Sequence, residues 1–182
     1  MRGDGRPEMM TRNDLLTELA ARSTLHGEFL LRSGAVSSIY FDKYRFEGDP
    51  RLLNEVARLM VPLVPEGVDA LAGLEMGGIP VATLLSQHTG LPTRFVRKEA
   101  KGYGTCNLAE GGEIEGKKLL VVEDVVTSGG QILLSVADLR ARGAVVENVV
   151  CVIDRESGGR ENLGKEGLCL SALFTMTELK GV

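Results

Sequence analysis

From residue 68 onward the chain alternates short apolar runs, glycine-bearing turns and amphipathic stretches, and this order constrains the fold more than any other feature. VDALAG reads as a strand, EMGG as a turn and IPVATLLSQHTG as a helix. PTRFVR and KKLLVV read as further strands, EDVVTSGG as a turn, QILLSVADLRARG as a helix ending near Gly143, and AVVENVVCVID as a strand. Short connections between such units predict an α/β fold with a central, mostly parallel sheet flanked by helices on both faces. In sheets of this kind ligands collect at the carboxyl ends of the strands. The closing segment, SGGRENLGKEGLCLSALFTMTELKGV, adds a strand and a short helix.

Ahead of this series, residues 1–10 read as a flexible tail and residues 11–182 as one domain, since no linker or fixed-period repeat divides them. Thr11 or Asn13 is placed to cap a helix carrying Leu15, Leu16, Leu19 and Ala20 on one stripe. EFLLRSGAVSSIYFDKYRF, residues 28–46, mixes short apolar runs with Ser and Gly and predicts a hairpin or small hood. Pro50 then stands where a helix over LLNEVARLMVPLV can begin.

With 21 Lys and Arg against 25 Asp and Glu, the net charge of −4 provides no global basic field for nucleic acid, although a local basic site can still take a small anion. Three cysteines, Cys106, Cys151 and Cys169, are too scattered for a disulfide framework or a zinc knuckle. Neither a secretory h-region nor a membrane-length apolar run is present, which predicts a cytoplasmic protein without membrane partners. His26 and His88 lack metal-ligand spacing, and His88, beside Thr89 and Gly90, reads as a helix-capping residue.

The sharpest local signal is LLVVEDVVTSGG, residues 119–130. An apolar strand delivers Glu123 and Asp124, then Thr127, Ser128, Gly129 and Gly130 precede a helix. Small residues let several backbone N–H groups converge on a phosphate, with the helix N-terminus adding a favourable dipole. The two carboxylates repel a phosphate but accept hydrogen bonds from hydroxyls, so a ligand with a phosphate and a vicinal diol uses both halves. A solvated acidic turn before a capped helix accounts for the same residues equally well. Neither GxxxxGK[ST] nor GxGxxG is present in this turn.

EDVVTSGG also resembles the ribose-phosphate signature of type I phosphoribosyltransferases. FLLRSGAVSSIYFD, GLEMGGIPVA, FVRKEAKGYGT and VIDRESGG resemble, in order over residues 28–160, segments of the orotate phosphoribosyltransferases. The resemblance implies a type I phosphoribosyltransferase-like fold with a small hood. It further implies a homodimer with shared sites, and the joining of orotate to 5-phospho-α-D-ribose 1-diphosphate to give orotidine 5'-phosphate and diphosphate in de novo pyrimidine (UMP) biosynthesis. Mg2+ accompanies the phosphorylated substrate, with no direct protein ligand assigned to it.

By the same resemblance Glu123 and Asp124 contact the ribose hydroxyls. Val125, Val126, Thr127, Ser128, Gly129, Gly130 and Gln131 surround the 5'-phosphate. Met76 and Gly77 belong to the diphosphate loop, where family members often carry a lysine at the Gly77 position. Arg97, Lys98, Lys101 and Tyr103 match the basic diphosphate-binding loop, in which many members have histidine at the Tyr103 position. Arg32 matches a basic residue close to the same substrate. Lys101, Glu123 and Asp124 are the implied catalytic residues. Tyr40, Phe41, Thr127 and Arg155 are the implied orotate contacts, with Arg155 meeting the carboxylate. A transferase for another nucleobase, or a non-catalytic phosphoribosyl diphosphate-binding regulator, is the alternative. Taken without the resemblance, the basic loop is a solvated charge cluster, the aromatic pair is ordinary packing, and Arg155 caps a helix or pairs with Glu156.

Overall fold

A computed structural model of the chain describes residues 9–30, 34–99 and 108–182. Helix α1 (Arg12–Ser23) starts at Thr11, whose hydroxyl accepts from the Asp14 amide while the Asp14 carboxylate accepts from the Thr11 amide. This reciprocal cap satisfies two otherwise orphaned donors. Leu15, Leu16, Leu19 and Ala20 form its buried stripe. Strands β1 (Thr24–Leu30) and β2 (Val36–Phe41) then pair as an antiparallel hairpin, the predicted hood. A four-residue helix α2 (Tyr44–Glu47) leads into α3 (Pro50–Met60). Asp49 caps α3 by accepting from the Arg51 and Leu52 amides, and Pro50 occupies a first-turn position that needs no donor.

The main sheet comprises β3 (Ala70–Leu74), β4 (Thr93–Val96), β5 (Ala109–Glu110), β6 (Lys118–Val126), β7 (Val145–Asp154) and β8 (Cys169–Thr175). Their order is β5-β4-β3-β6-β7-β8, parallel throughout except for β5. Helices α4 (Gly78–Thr89), α5 (Gly130–Ala141), α6 (Gly159–Lys165) and α7 (Met176–Lys180), with a 3-10 turn (Val61–Leu63) after α3, complete the described elements.

Alternation along the strands divides the core between the two sheet faces. Leu71, Leu120, Val122, Val150 and Val152 join α1, α3 and α4 in one apolar cluster. Ala70, Ala72, Leu119, Val121, Val149 and Cys151 join Ile132, Val136 and Leu139 of α5 and Leu163 of α6 in the other. From β3 the chain progresses to β4 on one side, and from β6 to β7 and β8 on the other. The crevice between the carboxyl ends of β3 and β6 is therefore the topological switch point.

Two local expectations change. EDVV is not part of a turn: β6 continues through Val126 because Val125 and Val126 pair with Ile153 and Asp154 of the long strand β7. His88 does not cap α4; its Nε2 lies 3.1 Å from Asn54 Oδ1 on α3, and Gly90 closes the helix in the left-handed conformation.

Close approach at the switch point depends on Gly78, where a Cβ would lie 2.2 Å from the Val122 carbonyl oxygen, a backbone atom that cannot swing aside. Gly78→Ala is expected to cost about 2 kcal/mol or more in urea unfolding. Gly164→Ala, at an uncrowded position within α6, is expected to stabilise by about 0.5–1 kcal/mol. Equal effects of the two substitutions would contradict this packing account.

Candidate active site at the ends of β3 and β6

Residues 75–78 leave β3 and lie directly on the end of β6. A Cβ on Gly77 would fall 1.7 Å from Asp124 Oδ2. A side chain at Gly77 would have to displace the Asp124 carboxylate, and the loop offers backbone there. The Glu75–Met76 peptide is cis, and the Met76 side chain is exposed. Glu75 Oε2 accepts from the Lys98 amide at 3.1 Å, joining this loop to the end of β4. Lys98 is exposed, whereas Arg97 is half-buried with its Nε 3.7 Å from Glu110 Oε1.

Glu123 and Asp124 sit within the last turn of pleat of β6, where successive side chains leave opposite faces. Asp124 is buried; its Oδ1 accepts from the Val125 amide at 2.5 Å, and its Oδ2 meets Lys43 Nζ from just before α2. Glu123 Oε1 accepts from the Asp124 amide at 3.0 Å. Glu47 on α2 faces the same carboxylate, with its Oε1 buried.

Burial and then the neighbouring Asp124 push the Glu123 carboxyl up to about 9 and the Glu47 carboxyl up to about 8. Burial also pushes Asp124 upward, but hydrogen bonding to Glu123, Glu47 and Lys43, with the Lys43 charge, outweighs it and leaves Asp124 below its ordinary value. Burial works against the Lys43 ammonium, yet its hydrogen bond and Coulombic attraction to Asp124 leave that group raised. At neutral pH the local arrangement is one carboxylate, one ammonium and two protonated carboxyls.

Of residues 125–131, expected to surround a phosphate, the first two belong to β6. Val125 and Val126 are strand residues: Val126 is buried in one core cluster and Val125 packs against the other. Their side chains do not line the turn. Thr127 and Ser128 are exposed, Gly129 adopts φ +78°, and Gly130 opens α5, which carries no side-chain cap. An uncapped start to a twelve-residue helix leaves amides available to an anion. Helix α6 braces the turn through a 3.1 Å bond from Asn162 Nδ2 to the Ser128 carbonyl. Gln131 is exposed on the first turn of α5.

Tyr40, Phe41 and Arg155 line a cleft of about 880 Å³ between the hood, α1 and α7, together with His26 and Ser37. Phe29 and Tyr40 stack with ring centroids 5.5 Å apart. The Arg155 amide donates to the Val126 carbonyl at 2.8 Å, so Arg155 and Thr127 emerge side by side from β7 and β6. Glu156, at φ +56°, turns its carboxylate to the Thr177 amide and hydroxyl at 2.8 and 2.6 Å. The expected pairing of Glu156 with Arg155 is thereby replaced by a clamp on α7.

Arg32, Lys101 and Tyr103 lie outside the described residues, as does Cys106. Cys151 is buried, and burial drives its thiol upward, away from thiolate chemistry. Among the described residues no three His, Cys, Asp or Glu side chains are placed to hold a metal ion. Sequence reasoning missed Lys43 and Glu47. Their i, i+4 spacing was visible, but Lys43 meets Asp124 across 81 residues of chain.

The geometry agrees with comparison to known proteins. Residues 46–174 match the phosphoribosyl transferase domain model. Orotate phosphoribosyltransferase of a Nocardioides species is 49% identical over 165 residues, covering 91% of this chain and 92% of that protein. The Methanocella arvoryzae orotate phosphoribosyltransferase is 45% identical over 85% of this chain and 89% of its own length. The crystal structure of Mycobacterium tuberculosis orotate phosphoribosyltransferase with Fe(III) dicitrate superposes with a TM-score of 0.84 at 33% identity, covering 92% of this chain and 98% of that one. The same enzyme solved with 5-phospho-α-D-ribosyl 1-diphosphate superposes at 0.80 with 30% identity, over 93% and 98%. The chain belongs to the phosphoribosyltransferase family, among its orotate phosphoribosyltransferases.

Proposed function

We propose that this chain transfers the 5-phosphoribosyl group of 5-phospho-α-D-ribose 1-diphosphate to orotate, forming orotidine 5'-phosphate in pyrimidine (UMP) biosynthesis. The observation that carries the reading is the convergence, at one switch point, of a backbone-lined loop, a buried carboxylate and an uncapped helix start, beside an aromatic cleft holding Arg155. Each part suits one portion of the two substrates: diphosphate, ribose diol, 5'-phosphate and the anionic pyrimidine.

In this reaction the ribose C1–O bond breaks with its electron pair leaving on diphosphate, and the ionised N1 of orotate forms the new C1–N bond. By the family resemblance Asp124 accepts from a ribose hydroxyl and favours positive charge growing at the sugar carbon. Glu123, protonated at neutrality, serves as a hydroxyl-binding partner instead of a second negative charge. The Thr127–Gly130 amides and the start of α5 take the 5'-phosphate. Met76 and Gly77, with the Lys98 and Arg97 cations at the end of β4, border the diphosphate. Lys101, in the same sequence segment, is assigned to the departing diphosphate by family resemblance.

Mg2+ is proposed to enter with the phosphorylated substrate, held by substrate oxygens and water. A homodimer with shared sites and a cytoplasmic setting complete the proposal. Among the described residues no helix is long and apolar enough to cross a membrane.

Turnover with 5-phospho-α-D-ribose 1-diphosphate and magnesium is expected for orotate, with diphosphate released in step, and not for uracil, hypoxanthine or adenine. Turnover of one of those bases would keep the transferase and overturn the base assignment. Binding of the phosphorylated substrate without turnover of any base would favour a regulator. For Arg155→Ala, KM for orotate is expected to rise about tenfold or more through loss of a charge-assisted contact. An uncharged pyrimidine analogue should be affected less, and an equal loss for both ligands would remove Arg155 from the carboxylate role.

A further inference from the structure

Asp124 is squeezed from two sides. Gly77 covers Oδ2 so closely that a Cβ would overlap it, and Lys43 reaches the same oxygen from the hood. The Asp124 side chain is 2% exposed and that of Lys43 is 31% exposed, so Lys43 forms the accessible half of the pair. Lys43 also follows Tyr40 and Phe41 by three and two residues. One side chain therefore connects the hood carrying the aromatic cleft to the carboxylate at the end of β6.

We propose that Lys43 is a positioning residue for phosphoribosyl transfer, holding the Asp124 carboxylate ionised and in place and tying the hood to the ribose end of the site. The proposal rests on the function above and on Asp124 as the ribose acceptor. A buried carboxylate left unpaired is strongly disfavoured as an anion. The other groups around Asp124 do not supply the missing positive charge. The hood side brings Asp42, Tyr44 and Glu47, and β6 brings Glu123. On β7, Cys151 faces Glu123, while Asp154 is engaged by Arg160 and by the Glu156 amide. The loop after β3 presents glycine backbone, with the Glu75 carboxylate turned to the Lys98 amide.

Removing Lys43 therefore leaves Asp124 among carboxyl groups, and its proton is held to higher pH. Activity that needs ionised Asp124 then fails earlier as pH falls, so the acidic limb moves upward. A residue that only packed the hood would lower activity without moving that limb.

The test is steady-state kinetics of the full chain and its Lys43→Met, Lys43→Arg and Asp124→Asn variants, with orotate and phosphoribosyl diphosphate varied in turn between pH 5 and 9. Lys43→Met is expected to lose about tenfold in kcat/KM for phosphoribosyl diphosphate, with its acidic limb about one pH unit higher. Lys43→Arg should recover most of the rate and the limb. If Lys43→Met does not fold, as judged by circular dichroism, Lys43→Gln takes its place in the same comparison. A wild-type rate and limb in the neutral variant, beside an impaired Asp124→Asn, would overturn the proposal alone. Equal losses in the neutral and Arg variants with an unmoved limb would do the same. Wild-type activity in Asp124→Asn would overturn the role of Asp124 and this proposal with it, whereas a wild-type chain inactive on orotate would overturn the function itself.

Discussion

A carboxylate withdrawn almost completely from water, Asp124, is the constraint around which the site is organised. Transferring an ionised carboxyl into a protein interior is unfavourable unless opposite charge and hydrogen bonds replace its hydration. Here the replacement comes from three directions: the Val125 amide along the strand, Lys43 from the hood and protonated neighbours at Glu47 and Glu123. These partners come from two stretches of chain, strand β6 and residues 43–47, so the charge state of the site is a property of the assembled fold.

That requirement also explains how closely the elements meet. Gly77 and Gly78 let the loop after β3 rest on the Asp124 carboxylate and on the Val122 carbonyl. The neighbouring turn is held from below by α6, with Gly159 packed where a Cβ would approach the Thr127 carbonyl at 2.5 Å. Asp154 accepts from the Glu156 amide and Glu156 clamps α7, leaving Arg155 between two residues with fixed partners. Pre-set geometry of this kind reduces the reorganisation that must accompany transfer.

Much of this was legible in the sequence because it is local. The alternation of strands, glycine turns and helices is written in consecutive residues, as are the Thr11 capping box and the Asp49–Pro50 start of α3. The acidic pair and the TSGG turn were legible for the same reason. Strand β6 was read too short because its final Val125 and Val126 are held by pairing to β7, which no local pattern records. Tyr40, Phe41 and Arg155 do share a cleft, a meeting that family resemblance supplied and periodicity did not. Lys43 and Glu47 were missed since an i, i+4 pair on a polar segment usually marks a solvated face. Only the packing of the hood over β6 turns that pair toward Asp124.

The claim most exposed to test is the division of charge: Asp124 ionised, with Glu123 and Glu47 protonated at neutrality. Carboxyl-carbon NMR of a 13C-labelled, ligand-free sample, titrated with pH and assigned through Asp124→Asn, Glu123→Gln and Glu47→Gln, measures it directly. An Asp124 transition below the ordinary aspartate range is expected, with transitions of the carboxyl cluster at about 8 for Glu47 and about 9 for Glu123. Both glutamates titrating in the ordinary range near 4.5, or Asp124 titrating above its usual value, would contradict it.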